Sequence, residues 1–219
     1  MSKPSTIAID GPVAGGKSTV GRLLAQRLGY RFVDTGMMYR GVTWKALQCG
    51  VDLEDRGELG RLARNATIEF APVDRVLVDG RDVTAALSEP DVEEGVSLVS
   101  RVACVREALV ERQRELARDG QVVMAGRDIG TVVLPHADVK VYLDASLEER
   151  ARRRHLELVE RGEMVDYQAV LSGLRRRDEI DSGREVSPLR AAQDATLVDT
   201  DGLAVEQVLS RIMELAGAD

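Results

Sequence analysis

The chain has 219 residues, 44% of them hydrophobic and 31% charged, with a formal net charge of −7; this is enough for one good core with small additions, and the acidic balance argues against a general nucleic-acid binder. No apolar run approaches the roughly 20 residues that span a bilayer, and the opening residues MSKPSTIAID hold no long apolar segment of the secretion type. Cys49 and Cys104 lie far apart and fit no metal spacing, so the expectation is free thiols in a reducing cytoplasm and a monomer with neither nucleic-acid nor membrane partners.

Taken in chain order, TIAID is short, β-branched and apolar, which predicts a buried strand. GPVAGGKST follows at residues 11 to 19, and then Val20, Leu23, Leu24 and Leu28 recur at helical spacing up to Gly29. YRFVD reads as a second strand and GMMYRGVTWKALQCG as a second helix ending at Gly50. Strand and helix in alternation predict an α/β fold with a parallel sheet. The middle breaks that rhythm: ATIEFAP, RVLVDG and RDVTAAL, with Pro72, Asp74 and Gly80 as turn residues, read as a small antiparallel meander. Helical patterning resumes near Asp91, with a break expected near Ala103. QVVMAG, VKVYLDA and ATLVDTDG complete a parallel sheet of about five strands with helices on both faces. Two arginine-rich helical stretches precede the last strand, and a closing helix is expected from Ala204 to Leu215.

The stretch at 11 to 19 has the form Gly-x-x-x-x-Gly-Lys-Ser, placed between a strand and a helix. Glycines let backbone N–H groups turn toward phosphate oxygens, and the helix start adds its positive dipole end. Gly11, Pro12, Val13, Ala14, Gly15, Gly16, Lys17, Ser18 and Thr19 are therefore expected to bind a nucleoside triphosphate. Lys17 reaches the β- and γ-phosphates, and the Ser18 hydroxyl suits Mg²⁺.

Ten arginines fall between residues 150 and 190 of this net acidic chain. Taken singly, each has a ready explanation as a solvated helix-face residue paired with a neighbouring glutamate. As a cluster they need more, because Arg177, Asp181 and Arg184 fall at i, i+4 and i+7 and one helix face would present all three. A GTPase switch would need Asn-Lys-x-Asp, and the chain's one asparagine is Asn65. A hydroxyl acceptor would call for a carboxylate base, whereas a phosphate acceptor needs only its repulsion from the γ-phosphate neutralised. At 4 Å two unit charges repel by roughly 1 kcal/mol even in water. The arginine excess thus favours a small kinase with a nucleoside monophosphate acceptor, leaving open which monophosphate, or a slow nucleotide-dependent binding module.

IDGPVAGGKST, DTGMMYR, GRDIGTVVLP, VYLDASLEERARRR and RRDEIDSGREVSPL occur in that order, and together they closely resemble the motifs of bacterial-type cytidylate kinase along essentially the whole chain. The resemblance implies transfer of the γ-phosphoryl of ATP to CMP or dCMP with Mg²⁺. It implies a core (1–34, 104–149 and 185–219), an acceptor-binding domain (35–103) holding the antiparallel insert at about 66–84, and a lid region (150–184). By the same resemblance Thr35, Arg40, Arg127 and Arg184 would hold the acceptor phosphate region. Ser100, Arg106 and Asp128 would read the cytosine edge, Arg177 and Asp181 would contact the ribose, and Arg150 and Arg154 would meet ATP. Lys17, Arg40, Arg127 and Arg184 are the expected catalytic groups. Position 125 is Ala, where the family often has an acid, so Asp34 is the expected partner of Mg²⁺ through water beside Ser18.

Overall fold

The computed structural model describes residues 4–72 and 75–217; Asp74, expected in a turn, lies outside them. In chain order the elements are β1 (Thr6–Asp10), α1 (Lys17–Leu28), β2 (Arg31–Asp34), α2 (Thr35–Gln48), α3 (Arg56–Asn65), β3 (Ile68–Ala71), β4 (Arg75–Val78), β5 (Arg81–Asp82), α4 (Pro90–Ser100) and α5 (Ala103–Ala117). They continue with β6 (Val122–Gly126), β7 (Val139–Asp144), α6 (Leu147–Glu160), α7 (Tyr167–Ser182), β8 (Thr196–Asp199) and α8 (Val205–Leu215). Among the described residues no helix is long and apolar enough to cross a membrane.

The chain forms two compact units. The first runs up to Phe32 and resumes at Asp119. Its parallel sheet has the order β2-β6-β1-β7-β8. The register sets Asp10 opposite Gly126 on one side and Tyr142 on the other, so the strands' carboxyl ends, where α/β folds carry their ligands, share one edge. Of the three inner strands, β6 and β1 are apolar almost throughout because they are covered above and below. Ile7, Ile9, Leu24, Val123, Leu143 and Leu209 are buried completely in that core.

The second unit is the unbroken segment Val33–Arg118. Its three-stranded sheet β3-β4-β5 is antiparallel, as the alternating pattern predicts. The helical break falls at Arg101 and Val102, between α4 and α5, close to its expected place. Helix α3 was not anticipated, although Leu59, Leu62 and Ala63 of RGELGRLARN recur at helical spacing and form its packed face. The second unit also takes in residues 104–118, which the sequence reading groups with the core, because Val105 and Leu109 pack into the same apolar cluster as Met38, Val42 and Leu59.

Candidate active site

Between β1 and α1 the chain makes the tight loop that the glycines predict. Gly11 has φ +146°, and a Cβ there would lie 2.1 Å from the backbone oxygen of Leu143, so no other residue fits without moving β7. Ala14 adopts φ +58°, an uncommon conformation of the kind that functional loops retain. No side chain caps the start of α1, which leaves the helix N-terminus presented toward an anion. Lys17 is buried, and its ammonium donates to the Pro12 carbonyl at 2.5 Å, folding back over the loop. Ser18 and Thr19 are exposed on the first turn.

The first unit draws three of the expected acceptor residues onto one another. Arg127, just past β6, donates from Nε to Asp181 Oδ2 at 2.8 Å, and Arg184 donates to the other oxygen. Asp181 is only 2% exposed. Burial raises its pKa, but the charges of Arg127 and Arg184 outweigh that and hold the carboxyl below its ordinary value, with Arg177 adding to the pull. The expected single helix face is corrected in one respect: α7 ends at Ser182, so Arg184 stands beyond it and reaches back three residues. Two guanidiniums this close would repel one another. The shared carboxylate removes that repulsion and leaves a net positive cluster suited to a phosphate.

The lid arginines behave differently from one another. Arg150 is 5% exposed and grips Asp178 of α7 through both terminal nitrogens, at 3.2 and 2.6 Å. The same guanidinium donates to the carbonyl of Val13 at 3.3 Å, which ties α6 and α7 to the phosphate loop. Arg152, Arg153, Arg154 and Arg161 pair with Glu149 or Glu157 along α6, the ordinary helix-face arrangement. The Arg152 hydrogen bond, helped by Arg153, draws the Glu149 carboxyl down to about 2.

A residue that the sequence reading passed over joins the two loops. Asp10, at the end of β1, is 4% exposed and accepts the backbone N–H groups of Ile129 and Gly130, each at 2.7 Å. Lys17 and Asp128 both lie within its electrostatic reach. An acid closing an otherwise apolar buried strand needs donors, and here both are main-chain N–H groups. Asp128 is itself buried and precedes a π-helical turn, Ile129–Val133, a feature frequent at functional sites.

In the second unit, Asp34 caps α2 by accepting from the Gly36 N–H at 3.0 Å, and Thr35 is buried behind it. Arg40 pairs with Glu93 at 3.6 Å. Arg106 is 2% exposed, stacks 5.3 Å from the Tyr39 ring centroid and donates to the Ser100 carbonyl at 3.1 Å. The Ser100 hydroxyl donates to the Ser97 carbonyl at 3.2 Å. Among the described residues no group of three or more His, Cys, Asp or Glu side chains could hold a metal. Mg²⁺ bound with a nucleotide takes most of its ligands from phosphate and water, and an exposed Ser18 hydroxyl on the loop helix fits that pattern.

A glycine loop at the carboxyl edge of a parallel sheet with a buried lysine at its mouth defines a P-loop nucleotide-binding fold. The solved structures with this fold include a shikimate kinase from Bacteroides thetaiotaomicron (TM-score 0.52, 15% identity, 97% of this chain and 98% of that one). A gluconokinase from Sinorhizobium meliloti 1021 is similar to the same degree (TM-score 0.53, 15% identity, 99% and 94%). The cytidylate kinase family model matches residues 7–218. The chain is 51% identical over 218 residues to the cytidylate kinase of Geobacillus kaustophilus, covering 98% of this chain and 97% of that one. It is 46% identical over 217 residues to that of Bacillus subtilis, covering 98% and 97%. The chain belongs to the cytidylate kinase family.

Proposed function

We propose that this chain transfers the γ-phosphoryl group of ATP to CMP or dCMP, giving ADP and CDP or dCDP, as a monomer in the cytoplasm. The observation that carries the reading is the Arg127–Asp181–Arg184 cluster, built in the same unit as the phosphate loop. It presents net positive charge to an acceptor that brings its own anionic nucleophile, so no general base is required. Arg40 adds a further guanidinium toward the acceptor phosphate, beside Thr35, and Arg177 and Asp181 serve the ribose. Asp128 accepts from the cytosine amino group, while Arg106 and Ser100 serve the ring acceptors. Uracil would set a carbonyl against Asp128, which makes UMP the poorer substrate.

On the donor side, the loop from Gly11 to Thr19 cradles the phosphates and Lys17 bridges the β- and γ-oxygens. Mg²⁺ supplies further charge neutralisation when bound, with Ser18 as its ligand and Asp34 acting through water. Arg154 meets ATP directly, and Arg150 acts on it through the Val13 carbonyl.

A coupled assay of ADP release over CMP, dCMP, UMP, dTMP and AMP tests the reading. CMP and dCMP should stimulate release most strongly. ATP binding without acceptor-stimulated release would instead identify a binding module. Lys17→Ala should lower turnover by at least about 10²-fold with circular dichroism unchanged; full activity in that variant would overturn the mechanism.

A further inference from the structure

Arg127 and Asp128 occupy a two-residue bridge between two fixed points. On one side Gly126 ends β6 in register with Asp10. On the other, Ile129 and Gly130 are both held by the Asp10 carboxylate. One residue therefore anchors both ends of the bridge, through its main chain beside Gly126 and through its side chain at Ile129 and Gly130. The carboxylate approaches very closely: a Cβ on Gly130 would lie 3.3 Å from Asp10 Oδ2 and 3.2 Å from Lys140 Cδ. Behind the bridge, the N–H groups of Val132 and Val133 both donate to the Asp128 carbonyl. The Asp128 main chain is thus pinned before and after, with φ −146° and ψ 27° between.

We propose that Asp10 is a positioning residue for base selection, its two acceptor oxygens setting the angle at which Asp128 is offered to the pyrimidine. The proposal rests on the reading of Asp128 as the group that accepts from the cytosine amino. Asp10 does not itself touch substrate. Both of its oxygens are committed to backbone donors, and only an ionised carboxylate offers acceptors at both. The charged or titratable groups facing it are Lys17 of α1, Asp128 on the bridge and Tyr142 of β7. The Tyr142 hydroxyl is pushed up to about 12, chiefly by burial, and so stays neutral over the working range. The Lys140 ammonium, whose stem lines the same corner, is engaged by Asp194 and the Pro135 carbonyl, both at 2.6 Å.

The test is Asp10→Asn in the full chain, with kcat and KM measured for CMP, UMP and ATP between pH 5 and 8. The amide keeps one acceptor and turns the other into a donor facing an N–H. The CMP-to-UMP ratio of kcat/KM should fall about tenfold at pH 7.5, mainly through KM for CMP, with KM for ATP within about twofold of wild type. In the wild type the ratio should also decline as pH drops through about 6, where burial places the Asp10 titration, and that limb should vanish in the variant. Taking the ratio cancels the substrate phosphate's own titration near pH 6. An unchanged ratio with only a lower melting temperature, or equal losses for both substrates, would reduce Asp10 to a structural cap and overturn the proposal. If Asp10→Asn fails to fold, the wild-type profile decides: a flat ratio from pH 5 to 8 overturns it. A wild-type chain that does not phosphorylate CMP at all would overturn the functional reading and this proposal together, a result distinct from either of the others.

Discussion

Burial pushes the carboxyl of Asp10 up from 3.8 to about 6, against the pull of the Gly130 and Ile129 N–H groups. Between roughly pH 4 and 6 the folded chain therefore keeps a proton that the unfolded chain has released. Stability falls as pH rises across that window, by roughly 3 kcal/mol in all, and levels off above it. Asp181 works in the opposite sense: its depressed pKa gives stability above the unfolded value that is lost as pH falls through the folded one. Asp10→Asn isolates the first effect. The melting temperature of the wild type minus that of the variant should be larger at pH 4.5 than at pH 7.5, by about 5–10 °C. A pH-independent difference would show that the carboxyl is not desolvated as the structure has it. At this scale the sequence was informative where chemistry has a motif. Lys17, Ser18 and the nearness of Arg177, Asp181 and Arg184 were legible from spacing, while the ion pair between Asp181 and Arg184 was not. Asp10 was not, because its donors are main-chain groups 119 and 120 residues away and leave no mark on residue type.

Helices α6 and α7 illustrate how an element can be legible while its partner is not. The arginine-rich helices were evident, but which arginines face inward was not: Arg150 turns into the unit while Arg152, two residues on, stays in solvent. The Arg150–Asp178 pair is what fixes α7 against the phosphate loop. Asp178→Ala would leave a 5%-exposed guanidinium without its acid. The expected cost is about 2–4 kcal/mol, toward the lower end for buried pairs because the Asp178 side chain is a quarter exposed. Urea unfolding should report it as a lower midpoint with an unchanged slope. KM for ATP should rise as the hold on the Val13 carbonyl loosens; unchanged stability and KM would refute the link. Helix α3 escaped notice for a different reason. Both of its signals are short: Leu59, Leu62 and Ala63 recur at helical spacing over little more than one turn, and Asp55 accepts from the Glu58 N–H at 3.0 Å in an Asp-x-x-Glu helix start. Terminus and periodicity agree on that helix.

At the scale of the whole molecule, the chain's −7 charge coexists with a cationic cluster assembled from residues far apart in sequence. The two units have separate apolar cores, and only the second is built from one continuous stretch of chain. The central strand β1 is completed by β6 and β7, more than 110 residues downstream. During synthesis the two units therefore mature at different times. The whole segment 33–118 has left the ribosome before β7 emerges, while the nascent β1 and its glycine loop must wait for strands still inside it. A ribosome-arrested chain exposing residue 118 but not residue 139 should already yield a protease-resistant fragment spanning the second unit, with the first still digestible. Protection of both units, or of neither, would contradict that order. The part of the chain that transfers phosphate is the first to be started and the last to be finished.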